Sequence, residues 1–368
     1  MQKIPLMKPF ITDEVKAKVN EVLDSGMLTE GAVTKELEKQ FEAFLGCGRA
    51  LAVTSATTGL EMALRALGVG PGDEVIVPDY TYPATADVAA ILGAKAVIVD
   101  VDPDTMNVDY AAMEAAVTPR TKAAIPVSLF GNPLDGDRIA EFKKRTGVFV
   151  VEDAACAIGA EFKGRKTGVW ADISVFSMHP RKFITTGEGG IVATDNPAWA
   201  DWMDSYKHFG MGKATAERSA VAFERIGTNY KLSNILAAVG VVQMRHVERL
   251  LARRRELAAS YTALLKGVPG VRMPVTTPGG IHSYQSFCVF VENRDGVMAK
   301  MREQGIEAQI GTYAIHLHPA FAPGGHVSIS GDLKGSLQAF KNCLTLPLYH
   351  DMTAEEQSRV VETLAGLL

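Results

Sequence analysis

Apolar residues recur in two rhythms along the chain, and the change of rhythm marks its organisation. Near the start, Val15, Val19, Val22 and Leu23 return at helical spacing behind Thr12, a good capping residue, and Ser25-Gly26 closes the predicted helix. A second amphipathic helix follows, with Leu37, Phe41, Phe44 and Leu45 on one face. Together they read as an arm lying across a partner or over a cleft. From residue 50 the rhythm shortens. Apolar runs of strand length at 50–53, 74–77, 96–99, 123–127 and 148–151 alternate with helical stretches to about 67 and at 83–92, 109–117 and 135–146. Such alternation predicts an α/β fold with a mostly parallel sheet covered on both faces. Two more apolar runs, 173–176 and 191–193, enclose a polar turn. After it the pattern loosens. Residues 199–212 read as helix then loop, 215–227 as polar and irregular, and 233–265 as one long helix. Strands at 287–291 and 307–310 and helices at 296–304, 335–342 and 354–367 suggest a smaller α+β domain. The expected division is 1–245, arm and large domain, and 246–368, small C-terminal domain.

In parallel sheets ligands sit beyond the carboxyl ends of the strands. Residues 55–57, 79–82, 128–131 and Asp153 all fall at such ends. The turn between the two later runs reads Ser177-Met178-His179-Pro180-Arg181-Lys182-Phe183-Ile184-Thr185-Thr186-Gly187-Glu188-Gly189-Gly190. A lysine held between strands by a glycine-rich turn is a candidate amine nucleophile, suited to a Schiff base with pyridoxal phosphate (PLP). Asp153, closing Val150-Val151-Glu152-Asp153, could keep a pyridine nitrogen protonated. Helix-start amides in Ser55-Ala56-Thr57-Thr58, with a hydroxyl from Ser177, could hold a phosphate. Tyr82 could stack on a planar ring, and His179 and Glu188 could guide protons. Each piece alone has a plainer explanation: a turn cap, an N-cap, a rim aromatic, a surface lysine, and for Asn229 a turn former. His316-Leu317-His318 could share a strand face, but no carboxylate or cysteine joins them at ligand spacing, so no metal site is expected.

Composition narrows the field. The 368 residues, 47% hydrophobic and 22% charged, fit an ordinary globular protein with a sizeable core. A net charge of −4 carries no polybasic footprint, which argues against nucleic acid as a partner. No apolar run reaches membrane-span length, the opening residues lack a signal-peptide core, and Cys47, Cys156, Cys288 and Cys343 form no CxxC pair. The expectation is a cytoplasmic protein without a membrane partner.

Taken in order, residues 26–31, Ser55-Ala56-Thr57, 70–78, Thr81-Tyr82, 152–155, 177–190 and Asn229-Tyr230-Lys231-Leu232-Ser233-Asn234 closely resemble the DegT/DnrJ/EryC1/StrS aminotransferases. These are PLP-dependent sugar aminotransferases of fold type I. The likeness spans nearly the whole chain, on through 316–321 and 346–348, and the 177–190 run is its most specific part. It implies that Lys182 forms the internal Schiff base and shuttles the proton between Cα and C4′, while Asp153 pairs with the ring nitrogen. Tyr82 is implied to stack on the ring, Ala56, Thr57 and Ser177 to hold the phosphate, and Cys156 to stand beside the cofactor. Asn229 is implied to reach the phosphate of a neighbouring subunit, hence a homodimer with shared sites. Gly26, Leu28, Thr29, His179, Glu188, Tyr313 and His316 are expected around the sugar.

Three positions bear on the chemistry. Ala56 stands where the family usually has glycine, and Cys156 where it often has Gln, His or Glu. Lysine at 182, rather than the histidine of related dehydratases, favours amino transfer. The expected reaction moves an amino group from L-glutamate to a nucleotide-linked keto-deoxysugar, the cofactor cycling through its pyridoxamine form. Two rivals stay open: transamination of a keto-cyclitol or other non-nucleotide substrate, and a catalytically silent PLP-binding regulator.

Overall fold

The computed structural model describes residues 3–212 and 220–368; the irregular stretch expected at 215–227 lies partly outside them. In chain order the first half comprises α1 (Asp13–Ser25), α2 (Ala32–Leu45), β1 (Arg49–Val53), α3 (Ala56–Ala66), β2 (Glu74–Pro78), β3 (Tyr80–Thr81), α4 (Ala84–Ile91), β4 (Lys95–Val99), α5 (Tyr110–Ala115), β5 (Thr121–Ala124), α6 (Gly136–Thr146) and β6 (Phe149–Asp153). Next come β7 (Glu161–Phe162), β8 (Arg165–Lys166), β9 (Ile173–Ser177), β10 (Gly190–Thr194), α7 (Pro197–Lys207), α8 (Asn234–Arg245) and α9 (Val247–Leu265). The remainder holds β11 (Val271–Arg272), β12 (Gly280–Ile281), β13 (Phe287–Val291), α10 (Arg294–Glu303), β14 (Gln309–Ile310), β15 (Tyr313–Ala314), β16 (Val327–Ile329), α11 (Lys334–Asn342), β17 (Cys343–Leu346) and α12 (Ala354–Ala365).

The large sheet has the order β1-β10-β9-β6-β5-β2-β4-β16. Only β10 runs against its neighbours; the other seven strands point the same way. The period-two logic of a doubly covered sheet is visible in its core. Val75 and Val77 pack with Leu60, Leu64 and Val88 on one face, while Ile76 packs with Ile139 and Phe142 on the other. The fold is therefore the mixed α/β, mostly parallel architecture expected of fold type I.

A second, antiparallel sheet, β11-β13-β17-β14, packs its apolar face against α9, α10 and α12 through residues such as Leu257, Tyr261, Met301 and Val360. The predicted single helix over 233–265 is instead two, α8 and α9, meeting at His246 (φ −106°, ψ 6°). No glycine or proline marks the break. His246 turns out to meet Glu14 Oε2 at 2.8 Å and pack edge-on against Phe10, so tertiary contacts set it. Residues 327–329, well beyond the expected boundary, return to the large sheet as β16 beside β4. The N-terminal arm lies on its own chain: α1 and α2 pack on α8, Ile4 pairs with Ile306, and Leu6 C=O accepts from Leu348 N–H. Among the described residues no helix is long and apolar enough to cross a membrane.

Candidate active site

Strands β9 and β10 form a hairpin, and residues 178–189 are its connection. The turn is closed by Met178 N–H on Gly189 C=O (2.9 Å) and Thr186 N–H on Met178 C=O (3.0 Å). Hydroxyls complete it: Thr185 Oγ1 donates to Met178 C=O and Thr186 Oγ1 to Glu188 C=O. Met178, Phe183 and Ile184 are buried beneath the turn with Leu37, Ala237 and Val241. Lys182 is half-buried, and its Nζ donates to Cys156 Sγ at 3.0 Å.

Asp153 ends β6, the strand next to β9, with Asp153 opposite Val175. Its carboxylate is buried and accepts from Thr85 Oγ1 (2.8 Å) and Ala155 N–H (3.1 Å). Burial pushes its pKa up; the Thr85 and Ala155 bonds and the charge of Lys182 work against that rise. Glu152, adjacent in sequence, points to the opposite face and is taken up by Ser128, Ser174 and the Gly168 amide.

Beyond β1, Ser55 opens α3 with a capping box: Ser55 Oγ accepts from Thr58 N–H, and Thr58 Oγ1 accepts from Ser55 N–H. The amides of Ala56 and Thr57 have no partner among the described residues. Gly190 explains how the helix start reaches the lysine hairpin. A Cβ on Gly190 would sit 2.7 Å from Ser55 C and 2.8 Å from Ala56 N, so only glycine lets β10 begin there. Ser177, at the end of β9, is buried, and its Oγ accepts from His179 N–H.

The rim is built from several segments. Tyr82 is 65% exposed, and its ring lies 6.3 Å from that of Tyr313, which β15 places beside β3. His316 donates from Nδ1 to Asp79 Oδ2 (2.6 Å) and from its amide to Asp79 Oδ1 (2.8 Å). Asp79 has no exposed surface. His318 lies edge-on to Tyr313, ring centroids 5.4 Å apart. His179 Nε2 stands 4.0 Å from Glu188 Oε1. Burial lowers the His179 pKa, helped by Lys182 and Arg181 and opposed by Glu188.

Gly26, Leu28 and Thr29 lie in the loop between α1 and α2. Gly26 caps α1 at φ +69°, and residues 27–29 are tied to Asn234 through Met27, Leu28 and Thr29 C=O. Among the described residues no hydrogen bond joins this loop to the Lys182 turn. Glu30 is buried behind it, with Lys207 Nζ at 3.1 Å, His208 Nε2 at 3.3 Å and Lys35 Nζ at 3.5 Å. Glu30, Asp204 and His208 are close enough to share a cation, and Lys207 and Lys35 each pair with both of these carboxylates and with Glu38. Asn229 is exposed, bonded to Lys231 Nζ, and makes no bond to the Lys182 group within its own chain.

Thr85, Asp79 and Asn234 drew no role from the sequence. Thr85 and Asp79 had no spacing signal, since their partners lie 68 and 237 residues away. Asn234 lay inside a recognised run but looked like an ordinary helix start.

These residues fit PLP. Two unpaired amides at a helix start, beside the Ser177 hydroxyl, suit a phosphate. A buried carboxylate with no ion pair among the described residues suits a protonated ring nitrogen. An amine at the same strand edge suits a carbonyl carbon.

Residues 9–365 match the DegT/DnrJ/EryC1/StrS aminotransferase family. DesV of S. venezuelae, solved with a ketimine intermediate, is 32% identical over all of this chain and 98% of its own, with a TM-score of 0.90. Spr1654 of Streptococcus pneumoniae, named a sugar aminotransferase and solved in its PLP form, is 29% identical over 99% of this chain and 98% of its own (TM-score 0.91). 3-Amino-5-hydroxybenzoic acid (AHBA) synthase is 28% identical over 100% and 99% of the two chains (TM-score 0.91). The chain thus belongs to the DegT/DnrJ/EryC1/StrS family and is a PLP-dependent aminotransferase of fold type I.

Proposed function

We propose that this enzyme moves the amino group of L-glutamate to a nucleotide-linked keto-deoxysugar, yielding an amino sugar for a polysaccharide or secondary metabolite. PLP supplies an electron sink for the carbanion formed when a substrate Cα–H is broken. Lys182 would anchor the cofactor, and its amine would take the proton from substrate Cα and return it in the reverse half-reaction. Asp153 holds the ring nitrogen in its protonated form, and Ala56, Thr57 and Ser177 hold the phosphate. Tyr82 covers the ring, and Cys156 stands beside the anchoring amine. His179, Glu188, Tyr313 and His316 orient the acceptor, with Gly26, Leu28 and Thr29 and the phosphate-binding Asn229 supplied across a homodimer interface. The reading places the enzyme in the cytoplasm.

The observation that supports it most is the meeting of three chemistries at one sheet edge: a half-buried amine, a buried unpaired carboxylate on the neighbouring strand, and free helix-start amides against Gly190. The test is a panel of nucleotide-linked keto sugars and free keto-cyclitols with glutamate, read as 2-oxoglutarate formed. Turnover of the nucleotide sugars is expected, and its absence across all of them would sink the choice. The likeness to AHBA synthase supports a second reading, a cyclic non-nucleotide acceptor, which the cyclitol arm detects. Borohydride reduction and peptide mapping should place the cofactor on Lys182, and Lys182→Ala should abolish turnover; a Lys182→Ala protein that keeps its cellular function would favour a catalytically silent PLP-binding regulator.

A further inference from the structure

Lys182 is bracketed by one side chain. Gln285 Oε1 accepts from the Phe183 amide (3.1 Å), and Gln285 Nε2 donates to the Arg181 carbonyl (2.8 Å). The residues immediately before and after the lysine are thus fixed by the two ends of a single buried amide. Only a side chain with a donor and an acceptor on one planar group can do both.

Gln285 is itself held. Its backbone lies across the 129–131 turn at the carboxyl edge of the large sheet, where Ser283 N–H reaches Gly131 C=O (2.9 Å). A Cβ on Gly131 would stand 3.0 Å from both Tyr284 N and Gln285 N, so the two segments are in close contact. From the other side Arg254 of α9, almost fully buried, donates to Tyr284 C=O and Gln285 C=O, each at 2.7 Å. Its guanidinium also lies over the Phe183 ring, 5.4 Å from the centroid. The chain of contacts runs from α9 through the 284–285 peptide to both flanks of the reactive lysine. Neither Gln285 nor Arg254 bonds Lys182 Nζ, so neither is a catalytic residue.

We propose that Gln285, backed by Arg254, is a positioning residue that fixes the Lys182 peptide and so aims its amine at the substrate Cα. The inference rests on the assignment of Lys182 as the reactive lysine, and it makes the amine's aim depend on a helix of the C-terminal part of the chain. A bond lost on either flank frees the Arg181 carbonyl or the Phe183 amide alone, because other bonds hold their neighbours: Lys182 N–H on His179 C=O (2.8 Å), Arg181 N–H on His179 Nδ1 (3.2 Å) and Thr185 N–H on Gln243 Oε1 (2.8 Å).

The test uses the full chain with three readouts. In cofactor-free protein, Gln285→Leu should raise hydrogen exchange at the Phe183 amide roughly tenfold or more, distant segments being unchanged. In PLP-loaded protein, the pH midpoint of the cofactor absorbance should move, and kcat of the glutamate half-reaction should fall with KM for glutamate little altered. Gln285→Glu keeps only the acceptor, so it should protect Phe183 while still lowering kcat. Should Gln285→Leu fail to fold, Gln285→Glu and Arg254→Lys carry the same measurements. Unchanged exchange and an unchanged absorbance midpoint in the folded variants would overturn the clamp. Mapping PLP to a lysine other than 182 would instead overturn the assignment beneath it, and the exchange readout in cofactor-free protein would stand by itself.

Discussion

Lys182 Nζ and Cys156 Sγ are 3.0 Å apart, and of the four thiols only Cys156 is not buried. An adduct on that sulfur occupies the space the amine needs. Iodoacetamide should therefore label Cys156 first in cofactor-free protein and block PLP loading, while bound PLP should protect it. Peptide mass mapping and cofactor absorbance check both halves; labelled protein that still loads PLP normally would refute the argument. Asp153 supports a second expectation. Asp153→Asn keeps the shape and the Thr85 contact but loses the charge, so PLP should remain bound while half-reaction rates drop roughly 100-fold or more. At this scale the sequence was informative where chemistry sits in a compact run. Lys182, Ser177, His179 and Glu188 are neighbours along the chain. Thr85, Asp79 and Gln285 are not, and polar residues whose partners come from 68 to 237 positions away carry no local signature.

The loop between α1 and α2 rests on a buried ionic cluster rather than on apolar packing. Lys207 Nζ, wholly enclosed, meets Glu30, Glu38 and Ala52 C=O, each at 3.1 Å. Removing one partner strands the others, so Lys207→Ala should cost about 3–5 kcal/mol, read as a lower midpoint of denaturant unfolding. Glu30 adds a pH dependence. Burial raises its pKa, but the His208 bond and the charges of Lys207, His208 and Lys35 outweigh that and bring it from 4.5 to about 2. The folded state then binds fewer protons than the unfolded state, so this stabilisation is full above pH 4.5 and lost as pH falls toward 2. Glu30→Gln should flatten that part of the stability profile; an identical profile would show that the cluster does not act this way. Elements with their own caps were legible: Thr12 and Ser55 start α1 and α3 where their spacing predicts. The break at His246 was not, because Glu14 in α1 and Phe10, just ahead of that helix, impose it.

Across the whole molecule, alternating apolar runs were enough to anticipate the large sheet, since a doubly buried parallel strand must be apolar throughout. The edge strand β16 escaped because three residues, Val327–Ile329, carry no periodicity and pair only once β4 is in place. Assembly is where the proposal is most exposed. Phe223 and Ile226, 64% and 95% exposed, come just before Asn229 in the chain, and the proposed homodimer would cover them. If Asn229 completes the neighbour's site, mixing and reassembling Lys182→Ala with Asn229→Ala subunits should restore activity that neither has alone. Each mixed dimer would hold one intact site; no recovery would show that sites are not shared. The meeting of β10 and α3 at Gly190 has a last consequence. The lysine hairpin and the helix-start amides proposed to hold the phosphate are joined by a contact that admits no side chain. Residues 26–31 and 313–316, proposed to face the acceptor, lie on other segments. The share of acceptor preference set by those two segments could drift, in nature or by loop grafting, without touching the Gly190 contact, whereas the share proposed for His179 and Glu188 is tied to the Lys182 turn itself.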